Sequence, residues 1–170
     1  TPTDTPRPTR VPCEQYWSTR VPISAPPAAG WAEIVGPAHC TEVPGPPEAV
    51  EAFGTYSPAL EGQALWVLAY APNRLYYPQR ETSKLDDGTC QVAAAQARNG
   101  RWRVAVSLGR EGEPEQFDIV LVMAEAGGEA DEVFYDWLKT GCENSSFPGF
   151  SLTDLPPGLV ELDAITVRTQ

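Results

Sequence analysis

Residues that carry chemistry are scarce in this chain of 170 residues. There is a single histidine, His39, and there is no CxxC pair and no GxSxG elbow. Without CxxC, zinc ribbons and thioredoxin-like redox sites lose their usual spacing. Without the elbow, and with only one histidine, a Ser–His–Asp hydrolase has no signature here. Cations are also few: 12 Lys and Arg stand against 23 Asp and Glu, for a formal charge of −11. Nucleic-acid affinity is drawn from clustered Lys and Arg, so nucleic acid is set aside as a partner. No apolar run reaches the ~18 residues that span a bilayer, and direct membrane insertion is not expected. The chain opens TPTDTP, without Met or an apolar h-region, which gives the expectation that any secretory leader has been removed or was never part of this sequence.

What the chain does have is four cysteines, Cys13, Cys40, Cys90 and Cys142. An even number of widely spaced cysteines reads as two disulfides formed in an oxidising compartment. Three connectivities are open. Cys13–Cys40 with Cys90–Cys142 is favoured because each then closes the more local loop, a constraint of about 3–4 kcal/mol each in the chain-entropy account. His39 lies directly beside Cys40, but neighbouring residues seldom aim both side chains at one ion. No metal and no cofactor are therefore expected, and His39 reads as a loop histidine beside a structural thiol.

Composition divides the chain near residue 48. The first 48 residues hold 11 of the 18 prolines, and the opening Thr/Pro tract suits a stiff, extended spacer and an acceptor for O-linked sugars. Tyr16, Trp17, Val21, Ile23, Trp31 and Ile34 give this arm apolar, strand-like patches. Residues 1–24 carry three arginines against two acids, whereas the rest carries nine basic and 21 acidic residues. The division is thus a proline-rich arm over 1–48, pinned by a local disulfide, and a β domain over 49–170.

In that domain the signals are those of strands. AVEAFGTY and ALWVLAYAP are rich in strand formers, and Pro78 confines YYPQ to a sheet edge. Asn99-Gly100 is a two-residue hairpin turn, after which Trp102, Val104, Val106 and Leu108 alternate with wetter residues. FDIVLVMA (117–124) is apolar on both faces, as an internal strand covered on each side should be. Over 129–140, Ala130, Val133, Phe134, Trp137 and Leu138 form one helical stripe, with acids at the start and Gly141 in a capping position. GLVELDAITVRT closes the chain as a strand. The expected fold is mainly β: about seven short antiparallel strands in a sandwich, with one helix inserted before the last.

Candidate sites are few. Asp86-Asp87 and Glu111, Glu113 and Glu115 fall in loops, where carboxylates are solvated, and LDDGT is too short for a calcium loop. The glycines of AEAGGEAD stand among acids that would repel phosphate. Asn144-Ser145-Ser146 fits the N-glycosylation pattern. Tyr76 and Tyr77 stand out because adjacent strand residues cannot both face one core, which makes them candidate ligand-facing aromatics.

The order LWV…YYPQ…C…GRW…V-x-L-G…FDIVLVMA, then a helix, then LPPG…ITV, is similar to immunoglobulin-like modules of predicted secreted or surface proteins of bacteria. The similarity covers roughly 49–169 and rests on turn and core residues, so it implies a fold and a location and carries over no functional residue. The expectation is a non-enzymatic extracellular or cell-surface module for adhesion, ligand binding or scaffolding, its partner a surface glycan or protein. One alternative is a self-assembling filament or layer in which the arm (Tyr16, Trp17, Val21, Ile23, Trp31, Ile34) pairs with a neighbouring copy. A second is an enzyme acting on polysaccharide, which would need two paired carboxylates in a pocket. The thiol assignment has a direct check. Under denaturing, non-reducing conditions the mass should fall below the fully reduced mass by four hydrogens, and alkylation of any cysteine in the untreated protein would overturn it.

Overall fold

The segment Gln116–Ala124 (β10) organises the architecture. Its side chains alternate Phe117, Ile119, Leu121 on one face and Val120, Val122, Ala124 on the other, and both sets are buried. A strand that is apolar on two faces is stable only with a cover on each. The computed structural model, which describes residues 10–14, 20–24 and 30–170, supplies both covers.

β10 sits at the centre of a five-stranded sheet. Its neighbours are β4 (Ala64–Tyr70) and β11 (Val160–Thr169), both antiparallel to it. β5 (Tyr76–Gln79) forms one edge and β2 (Thr41–Val43), parallel to β11, forms the other. The second sheet has the order β1 (Ala32–Gly36), β3 (Val50–Tyr56), β9 (Arg101–Val106), β8 (Gln96–Arg98). Ala52, Tyr56, Trp102 and Val106 from this sheet share one core with Leu65, Val67, Ile119, Leu121, Ile165 and Val167 of the first. At Gly54 the packing tolerates no side chain, since a Cβ there would lie 1.8 Å from the Glu33 carbonyl oxygen.

The other face of the five-stranded sheet is covered by the helix α1 (Glu129–Asn144). Ala130, Phe134 and Leu138 pack on Trp66, Leu68, Val120 and Val122, with Phe134 edge-on to Trp66 at 5.3 Å. The expected stripe is therefore the packed face, although the helix runs one turn beyond 140. Gly141 lies inside it, buried, and Ser145, with φ of 53°, provides the left-handed cap. A small ribbon of β6 (Thr82–Lys84) and β7 (Cys90–Val92) is tied to α1 by the Cys90–Cys142 disulfide. Cys13–Cys40 is the second bond, so both favoured pairings are present. The Asn99-Gly100 turn joins β8 to β9, with φ of 54° and 77° at its two residues.

Three expectations need correction. Among the described residues there are eleven strands, because several are only three residues long. The boundary at residue 48 also does not separate arm from domain. β1 and β2 lie within it and pair with β3 and β11, so residues 32–43 are part of the folded body. Ile34, assigned to an inter-subunit arm, is consequently in this chain's own core.

The described parts of the arm are held by charge. Arg10 donates to both oxygens of the buried Asp163 (3.1 and 2.9 Å) and to the Ile34 carbonyl (3.0 Å). Asp163 also accepts the Ile34 N–H at 2.7 Å. Arg20 forms a fork on Glu161 and reaches Asp118, and its side chain is only 7% exposed. The backbone follows: Ile23 donates to Glu161, Glu161 donates to the Ser24 hydroxyl, and Ile23 packs against the helix-side core. Removing one member of a buried pair leaves the other charge unmatched. Arg20→Met is expected to lower stability in urea unfolding by about 3–5 kcal/mol. Arg10→Met should cost less, about 1–3 kcal/mol, because that side chain is partly exposed although the Asp163 carboxylate it leaves is buried. Equal losses would show that burial is not what makes the Arg20 pair matter.

Candidate functional site

Three of the residues singled out from the sequence, Cys13, His39 and Cys40, do come together. Ligand atoms of Cys13, His39 and Cys40 lie within 4.8 Å of one another. The two sulfurs, however, are bonded to each other. The histidine ring is occupied as well: Nε2 donates to the Val11 carbonyl at 2.7 Å, and Nδ1 accepts the Thr166 N–H at 3.0 Å. These two partners fix the neutral tautomer with its proton on Nε2. The cluster is a staple that holds the arm against β11. His39–Cys40 is thus structural in this fold, as its spacing implied.

The acids follow the same logic. Asp118 and Asp163 are the buried carboxylates among the described residues, and both are matched by arginine, Asp118 also accepting the Thr166 hydroxyl at 2.8 Å. In the LDDGT turn, Asp87 Oδ1 accepts the N–H and the hydroxyl of Thr89. These bonds hold its carboxyl below the ordinary carboxylate range. Asp131, after the two glycines, accepts the Trp66 indole N–H at 2.8 Å and the Gly127 N–H at 2.9 Å. Asn144 is exposed at the end of α1.

Tyr76 and Tyr77 part company. Tyr76 is 1% exposed, tilted against Tyr70 at 4.8 Å, with its backbone paired to Phe150. Burial raises its phenol pKa, and its hydrogen bond from Arg20 works the other way. As a ligand-facing residue it is ruled out in this fold, because Arg20 and Phe150 cover it. Tyr77, on the opposite side of the strand, is half-buried and lines a groove of about 800 Å³. Of the other arm residues, Val21 is largely exposed and Trp31 is 39% exposed, bonded through its N–H to the Ser57 hydroxyl. Tyr16 and Trp17 lie outside the described residues.

The groove runs past the edge of β5. One wall is aromatic: Trp137 from α1 stands 6.4 Å from Tyr77 and 5.3 Å from Phe147, and Phe147 is 42% exposed. Trp137 is held by donating its indole N–H to the Pro148 carbonyl at 2.7 Å, and the Tyr77 hydroxyl accepts from Asn73 at 2.8 Å. The other wall comes from the loop after β9, with Ser107, Arg110, Glu113 and Glu115. Gln79 spans the two, accepting the Ser107 N–H and donating to the Tyr77 carbonyl. At one end lies Arg80, whose guanidinium carbon sits 3.4 Å from the centroid of the Trp66 ring. Burial lowers its pKa to about 10, against the raising effect of Asp131, which leaves it cationic at neutral pH.

No protein-family model, curated protein or solved structure matches this chain. Sequence reasoning found Tyr77 but missed its companions. Trp137 reads as helix stripe, and nothing in the sequence singles out Phe147 or Arg80, which only the fold brings beside Tyr77. The separation of the two tyrosines is measurable. Mild nitration of the folded protein followed by peptide mapping should modify Tyr77 and spare Tyr76, and the reverse order of reactivity would invalidate the placement of β5.

Proposed function

We propose that this chain is a non-enzymatic ligand-binding module of an extracellular or cell-surface protein, built as an immunoglobulin-like β-sandwich, and that it binds in the groove beside β5. The observation that carries the reading is the aromatic wall of Tyr77, Trp137 and Phe147 lining an open space of ligand size. Aromatic faces of this kind, flanked by amide and hydroxyl groups, suit the C–H faces of sugar rings.

The fold assignment is supported by strand order. The sequence β1-β3-β9-β8 in one sheet and β11-β10-β4-β5 in the other follows the A-B-E-D and G-F-C-C′ pattern of immunoglobulin domains, with β2 added to the last strand. It departs from antibody domains in that neither disulfide joins the two sheets. Location is supported by those two disulfides, which fit an oxidising compartment. Among the described residues no helix is long and apolar enough to cross a membrane. A binding role is favoured over hydrolysis of polysaccharide because the buried carboxylates are committed to arginines. It is favoured over a donated-arm filament because Arg10, Arg20 and Ile23 are engaged within their own chain.

Titration against a panel of neutral and acidic cell-surface oligosaccharides tests the reading. Tyr77→Ala should weaken binding about 10-fold, the scale of one lost stacking contact. Trp137→Phe, which keeps the packing and loses the bond to Pro148, should weaken it less. Affinity that survives Tyr77→Ala unchanged would place the ligand elsewhere and refute the groove.

A further inference from the structure

We propose that the ligand of this groove is an acidic saccharide and that Arg80 receives its carboxylate. The inference rests on the groove reading and adds the charge of the ligand to it.

Arg80 is the exception among the wholly or partly buried arginines. Arg10 and Arg20 are each given carboxylates, in a chain with 23 acids to choose from. Among the described residues none lies within ion-pair distance of Arg80. Its Nε is buried without a hydrogen-bond partner, and one terminal nitrogen reaches only the Leu65 carbonyl, at 3.4 Å. Asp131, whose charge is felt there, spends both oxygens on Trp66 and Gly127. A desolvated cation with unmatched donors is costly unless something completes it. Stacking on Trp66 fixes the plane of the guanidinium, so its fork is presented in one orientation, and a planar fork matches a carboxylate through two parallel bonds.

The side chain borders two spaces: the groove itself and a smaller cleft of about 240 Å³ bounded by Glu51, Gln96 and Arg103. Within the groove the other cation, Arg110, is exposed to solvent on the loop that also carries Glu113 and Glu115, whereas Arg80 is partly buried with its Nε unbonded. A peptide carboxylate fits less well. Strand addition along β5 would need free backbone groups, yet Tyr76 has already given its N–H and C=O to Phe150, and Pro78 has no N–H. A ring that lies on Tyr77 and Trp137 and offers a carboxylate toward Arg80 uses what the groove has.

Calorimetric titration with oligogalacturonate and with its fully methyl-esterified form separates charge from ring shape, at low and at high salt. The acid is expected to bind at least ~10-fold tighter at low salt, with the advantage shrinking as salt rises. Arg80→Met retains the aliphatic stem over Trp66 and should erase the advantage while leaving the ester within about twofold of its original affinity. Arg80→Gln is the substitute if the methionine variant does not fold by near-UV circular dichroism. Equal binding of acid and ester would overturn the inference and leave the groove reading standing. Binding of neither would sink both. Acid preference that persists in the Arg80 variants would remove Arg80 from the role, and an aspartate-rich peptide binding as tightly as the acid would remove the saccharide.

Discussion

Everything in this molecule is arranged around two adjacent strands that are apolar on both faces. β10 and β4 together present Phe117, Ile119, Leu121, Leu65, Val67 on one side and Val120, Val122, Trp66, Leu68 on the other. A single opposing sheet can bury only one of these faces. The second sheet does so with Ala52, Trp102 and Val106. The remaining face is too wide for one helix, and the cover is shared. α1 takes the half over Trp66, Val120 and Val122, and the arm segment at 20–24 takes the half over Tyr76 and Asp118. The arm is thereby part of the roof of the sheet.

That division explains how the charges are placed. A segment with little apolar surface of its own needs another reason to stay on a sheet. Here it is the match between a slightly basic arm and acids at the ends of β10 and β11. Without Arg20, Asp118 and Glu161 would lose the cation they share, and without Arg10 the buried Asp163 would lose a two-pronged ion pair. Arg10 and Asp163 also occupy both backbone groups of Ile34, so β1 is tied to β11 across the gap between the sheets. The Cys13–Cys40 bond then keeps Arg10 near its partner, and His39 fills the remaining bonds between the arm and Thr166.

The sequence made the two-faced strand, the helical stripe and the Asn99-Gly100 hairpin legible, because each is a local pattern whose period or turn chemistry lies within a dozen residues. The composition shift at residue 48 misled, since prolines marked the segment as linker while β1 and β2 are only five and three residues long. β2 finds its partner in β11 more than a hundred residues later, and no local period announces such a pairing. The tyrosines show the same boundary. Adjacency on a strand reveals that one of Tyr76 and Tyr77 must leave the core. Which one leaves depends on Arg20 and Phe150, at distant points in the chain. The groove was illegible for that reason, being assembled from a strand edge, one helix face and two loops.

The groove lies where it does because the roof and the sheet end at different places. α1 follows β10 and β4, and at β5 it overhangs an edge strand of four residues. Pro78 leaves that edge without a donor, and Tyr76 closes the rest through Phe150, so the edge cannot extend by pairing. There Trp137 of the helix stands between Tyr77 and Phe147, at 6.4 and 5.3 Å. Arg80, the first residue past the edge strand, turns back over Trp66 with its guanidinium carbon 3.4 Å from the ring centroid, and its Nε has no hydrogen-bond partner. An aromatic wall and a cation with an unbonded Nε at one corner are therefore consequences of how the fold ends its central sheet. Gln79, Ser107 and Asn73 place polar groups around that corner.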